Sequence, residues 1–138
     1  MALPDPEYVP DLPRDAAFEL INARRFGDRQ AFAFYQLPDD FLDVGDDKAS
    51  VVLYTTGGNR GDWDRTDRLT VEVYAPGTDA VAVAEAISDL LVNDGDPHDL
   101  EVGYVDEFRV DVTPHDVPFP GGGVNQASVV LLVTHRPQ

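Results

Sequence analysis

The sequence predicts an α/β chain of the α+β kind: a single mixed β-sheet with two helices packed on one face. Three observations carry that expectation. From Arg68 to Ala75 apolar and polar residues alternate, with Leu69, Val71 and Val73 on one side and Thr70, Glu72 and Tyr74 on the other, the period of two of a half-buried strand. Ala80, Val83, Ala84, Ile87, Leu90 and Leu91 then recur at three and four residues and draw one apolar stripe along a helix. Near the end, Val129 to Val133 is apolar without interruption, the pattern of a strand covered on both faces.

The elements follow in order. Met1 to Pro13 carries prolines at 4, 6, 10 and 13, which fix φ and remove backbone donors, so residues 1–13 are expected to form an extended arm ahead of a single domain over 14–138. Ala16, Ala17, Leu20, Ile21 and Ala23 stand at helical spacing, which predicts a helix over residues 13–26 with Gly27 as its C-terminal cap. Ala31 to Leu37 is aromatic-rich and extended, and Pro38-Asp39-Asp40 turns the chain. Ser50 to Thr56 forms the next strand, stopped by Gly57-Gly58. Asn59 to Thr66 is a polar loop with Trp63 at its tip. Ala75-Pro76-Gly77 then breaks the alternating strand, and Thr78 or Asp79 caps the helix that follows. Leu100 to Val105 and Glu107 to Val112 are expected as two modest strands. Pro114, Pro118, Pro120 and Gly121-Gly122-Gly123 are expected as a long flexible connection before the last strand.

At 138 residues the chain fits one domain, and Leu, Ile, Val and Phe supply 39 of them, about 28%, enough to build a core. The formal charge is −16, with 26 acidic residues against 10 basic ones, so an electrostatic grip on a nucleic-acid backbone is excluded. Aspartate outnumbers glutamate 20 to 6, and Lys48 is the sole lysine; a GC-rich genome and a high-salt cytoplasm both produce this bias. With no cysteine, disulfides and thiolate chemistry are ruled out. The first thirteen residues have neither a basic start nor an apolar run, and no segment approaches the roughly 20 apolar residues that span a bilayer, so a soluble product is expected.

No pattern of residues points to catalysis, a cofactor or a metal. Asp39, Asp40, Asp43, Asp46 and Asp47 crowd one loop, but they lack the spacing of a calcium-binding loop, and a solvated loop is the plainer reading. Asn59, Asp62, Asp64 and Asp67 make the same weak case around Trp63. His98, His115 and His135 show no ligand spacing and are expected on the surface. Gly58-Asn59-Arg60-Gly61 has the bare form of a nucleic-acid clamp but joins strands rather than helices. Trp63, flanked by Arg60, Asp62, Asp64 and Arg65, has instead the composition of an interface anchor. The doubly apolar last strand adds Val129, Leu131 and Val133 as a surface to be covered by a neighbouring copy.

A Pro-bearing start, a helix, a strand closing on Leu37-Pro38 and the strand Val51-Val52-Leu53-Tyr54 ending in Thr55-Thr56-Gly57-Gly58 stand in fixed order. A polar loop, the strand Asp67 to Ala75, the helix Ala80 to Leu91 and the final Val129 to Arg136 follow. In that arrangement, over roughly Arg14 to Arg136, the chain resembles the tail terminator proteins of long-tailed (siphovirus-type) bacteriophages and related archaeal tailed viruses. The resemblance implies a virion structural protein without enzymatic activity, made in the host cytoplasm and placed in the tail neck. Six copies would close into a homo-hexameric ring that caps the tail tube, ends its polymerisation and joins it to the head-completion or connector proteins. DNA would pass through the acidic bore without specific binding, repelled by charge of its own sign. The alternatives are another neck or tail-tube component of such a virus, or a module binding a cation or small ligand through the Asp39 to Asp47 loop.

Overall fold

A computed structural model describes residues 12–36, 47–60, 65–93, 98–100, 103–121 and 124–135. The element order is α1 (Leu12–Ile21), β1 (Arg25–Phe26), β2 (Arg29–Phe34), β3 (Lys48–Arg60), β4 (Arg65–Ala75), α2 (Asp79–Asn93), β5 (His98–Leu100), β6 (Gly103–Gly121) and β7 (Val124–His135). The strands form one mixed sheet in the order β1-β2-β3-β4-β7-β6-β5. Among the described strands only the β2–β3 pair is parallel. The fold is α+β, as the sequence predicts.

The two strongest sequence signals land where expected. On β4, Leu69, Val71 and Val73 are fully buried, and along α2 the buried apolar residues are Ala80, Val83, Ala84, Ile87 and Leu91. Gly77, at φ 60°, supplies the left-handed residue of the turn between them, and the Ala82 amide bonds the Thr78 carbonyl to start the helix. Both helices bury their apolar sides on one face of the sheet. Ala16, Ala17 and Ile21 from α1 join the α2 stripe over Ala31 and Ala33 (β2), Val51 and Leu53 (β3), the β4 residues, Val105 and Phe108 (β6), and Ala127, Val129, Leu131 and Val133 (β7).

Several boundaries differ from the sequence expectation, each for a local reason. The first helix stops at Ile21 rather than residue 26, because Ala23 takes φ 62° and turns the chain; Gly27, at φ 64°, makes the β1–β2 hairpin turn instead of capping a helix. Gly57-Gly58 does not end β3. The register slips between Thr55 and Gly58 and pairing then resumes through Arg60 opposite Arg65, so the glycines mark a bulge. Residues 103–121 form one long strand where two short strands and a flexible connection were expected. Its pairing with β7 carries register shifts at four places, and its prolines are tolerated because β6 lies near the sheet's edge, where a missing N–H breaks no ladder.

The largest correction concerns β7. Its burial alternates strictly from Ala127 to His135: Val129, Leu131 and Val133 are sealed under the helices, while Val130 and Leu132 face the other side and are only partly buried. A continuous apolar string is thus used as an ordinary one-sided strand.

Candidate functional site

Of the residues expected at an interface, Val129, Leu131 and Val133 are removed by this geometry, since side chains with no exposure inside the chain's own core cannot meet a neighbour. Arg65 opens β4, half-exposed, and its Nε donates to Asp67 Oδ1 at 3.0 Å. Arg60 is placed by backbone register opposite Arg65. Asp62, Trp63 and Asp64 lie outside the described residues, as do the Asp39, Asp40, Asp43 and Asp46 positions and the 1–11 part of the arm.

The face of the sheet turned away from the helices is where the exposed apolar groups gather. Val130 pairs with Thr70 on one side and Val112 on the other, Leu132 lies between Arg68 and Arg109, and Val52 sits opposite both Phe34 and Glu72. Toward the flanks the face is open, with Val112 42% and Tyr54 38% exposed. Thr70, Val52 and Tyr74, nearer its middle, are buried. None of these residues belongs to the core beneath the helices.

One carboxylate organises the middle of this face. Glu72 on β4 accepts a hydrogen bond from Gln126 Nε2 of β7 at 2.6 Å and further bonds from the hydroxyls of Tyr54 on β3 and Tyr74 on its own strand. Burial pushes the Glu72 carboxyl above its ordinary range, against the three donors that favour its charged form. Burial also raises both phenols, helped by the neighbouring Glu72 charge, and Tyr74 is pushed up to about 12. The cluster ties three adjacent strands through side chains on one face. A slip of one residue in either pairing would turn these groups to opposite faces, so the cluster holds register.

At one end of the core, where the sequence suggested a surface histidine, His135 is buried against Asp67. His135 Nε2 lies 2.8 Å from Asp67 Oδ2, with both side chains under a tenth exposed, while Asp67 Oδ1 takes the Arg65 bond. His135 Nδ1 is buried with no hydrogen-bond partner. A proton on Nε2 satisfies the carboxylate and leaves Nδ1 as a bare acceptor, the less costly way to bury the ring. The signal for this pair was available in the register-compatible positions of two inward-pointing strand residues, but it needed the β4–β7 pairing to be seen. His115, by contrast, is exposed, as expected, its Nδ1 2.8 Å from the Thr113 carbonyl oxygen.

A third feature is a cleft of about 260 Å³ between the β1–β2 turn and the first turns of α2, lined by Phe26, Gly27, Asp28, Arg29, Asp79, Ala82, Val83 and Ala86. Its polar groups are committed to each other. Arg29 Nε donates to Asp79 Oδ2 at 2.7 Å and its Nη1 to the Lys48 carbonyl at 2.9 Å, which pins the hairpin to the helix N-terminus and to β3. A ligand would have to replace that ion pair.

No protein-family model matches the chain, and no curated protein matches it. The functional reading therefore stands on the molecule's own surfaces. Among the described residues no group of three or more His, Cys, Asp or Glu side chains is arranged to hold a metal ion, and no helix is long and apolar enough to cross a membrane.

Proposed function

We propose that the chain is a structural subunit that completes itself by association, and specifically a tail terminator: a ring-forming virion protein that caps a tail tube and meets a head-completion protein. The observation that carries the proposal is the face of the sheet opposite the helices, where Val130, Leu132, Val112 and Tyr54 present apolar surface on long strands and, among the described residues, no helix lies over them. A sheet with helices on one side only buries half of its apolar capacity, and a second copy supplies the missing layer at the cost of no new element. The α+β layout with both helices on one face is also what the resemblance implies. The intersubunit contact is assigned to the even-numbered residues of β7 instead of Val129, Leu131 and Val133. Closed rings built from head-to-tail copies use two different patches per subunit, so the surface around Arg65 at the start of β4 is available as the complementary one.

Mass measurement of the purified protein, with negative-stain imaging, tests this reading. A closed hexamer is expected for the wild type and a monomer for Val130→Asp combined with Leu132→Asp, with thermal unfolding retained in both. A wild-type protein that stays monomeric at high concentration and does not attach to tail tubes overturns it.

A further inference from the structure

The two edges of the sheet are finished in opposite ways. At the β2 edge the chain covers its own backbone: the Ala31 amide donates to the Arg24 carbonyl, the Ala23 amide donates to the Ala31 carbonyl, and the Ala33 amide donates to Asn22 Oδ1 at 3.1 Å. At the other edge β5 pairs with β6 only over Gly103 to Val105. Beyond that point, from Asp106 to Val117, β6 has β7 on one side and, among the described residues, no strand on the other. Glu107, Arg109, Asp111, Val112, Thr113, His115 and Asp116 are all exposed along it. A long open edge is a template for an added strand, because its unpaired N–H and C=O groups are displayed in ladder spacing.

We infer that the open edge of β6 between Glu107 and Val117 is a strand-addition site for an extended, basic segment of a partner protein. Charge selects the partner. The edge carries four acids, Asp106, Glu107, Asp111 and Asp116, against Arg109, and of these acids only Asp111 is tied to a described cation, Arg68 Nε at 3.1 Å. A second copy is a poor occupant on both possible modes. Pairing β6 with β6 brings two edges of the same net negative charge together, and pairing β6 with β2 meets an edge whose amides at 31 and 33 are already bonded. Pro114 and the register shifts of β6 interrupt the edge without closing it, which limits added pairing to short runs and disfavours indefinite self-association. The inference does not rest on ring formation, since it uses the backbone edge of β6 while the ring contact is assigned to side chains of the opposite face, with Val112 the one named residue common to both.

Amide hydrogen exchange on the full chain tests it, with a synthetic peptide alternating lysine and valine as the probe. Protection is expected at β6 amides between residues 107 and 117 on peptide addition. It should be absent with a peptide of the same charge whose alternate amides are N-methylated, which keeps the electrostatic attraction and removes the ladder donors. The double variant Glu107→Lys, Asp116→Lys, with unfolding temperature checked, should bind the probe about tenfold more weakly. Equal protection by the N-methylated peptide, no protection at all, or β6 amides already protected in a concentration-dependent way by the protein alone would each overturn the assignment. Because Val130 and Leu132 are untouched, loss of the ring and loss of the edge site are read separately.

Discussion

In the middle of β7 the two faces are built from the same residue types, valine and leucine, and behave differently. Val129, Leu131 and Val133 belong to the core shared with the helices and are sealed; Val130 and Leu132, one position away, look onto the face that no described helix covers and keep part of their surface in water. The difference teaches that hydrophobicity along a strand states a capacity for burial, while the layers stacked on each side decide how much of it is used. Polar groups sort in the same way. On the helix side the carboxylate of Asp67 is sealed with His135, whereas on the open side Glu72 is held by two tyrosines and Gln126 in a cluster still close to solvent.

Substitutions that exchange the roles of the two faces should separate by size. Leu131→Ala opens a cavity under the helices and is expected to cost about 2–5 kcal/mol in denaturant unfolding; a loss below about 1 kcal/mol would mean that the inner face is less tightly packed than its burial indicates. Next comes Asp67→Ala, which leaves His135 buried without its partner and should lower stability by about 1–3 kcal/mol, with Asp67→Asn recovering part of it. Leu132→Ala, on the open side, should change the stability of the monomer by less than about 1 kcal/mol while weakening association, so the ratio of the Leu131 and Leu132 effects measures the asymmetry directly.

The smallest effects are the pH-dependent ones of the Glu72 cluster. A carboxyl whose folded pKa is raised holds its proton more firmly in the folded state, so its contribution to stability is complete below the unfolded value and is lost as pH rises through the folded one. Glu72→Gln should therefore be no less stable than the wild type near neutral pH and lose any advantage under acid conditions, as followed by thermal unfolding across pH. Tyr74 obeys the same rule at the alkaline end. The unfolded phenol titrates near ~10 and the folded one at about 12, so stability should fall through that window, and Tyr74→Phe should flatten the fall.

What the residues revealed depended on how local the determining physics was. β4 and α2 were legible because alternation and a helical stripe are consequences of neighbouring positions, and the Pro-Gly turn between them needs no distant partner. The long β6 was not legible, because three prolines read as breakers unless the strand is known to lie near an edge. The interface residues divide along the same line. Arg65 could be recognised as an exposed charge, but nothing in Val129 to Val133 says which alternate residues the helices will cover, and nothing near His135 in sequence announces Asp67.

By itself the sequence determined the class of the fold, one mixed sheet with two amphipathic helices, together with a strongly acidic surface, because composition and periodicity are properties of the chain before it folds. Only the tertiary structure decided which face of the last strand is sealed, that a histidine is buried on an aspartate, and that, among the described residues, one sheet edge is covered while most of β6 has a strand on one side alone. Those outcomes are set by strand order and register, which bring together residues as far apart as Asp67 and His135.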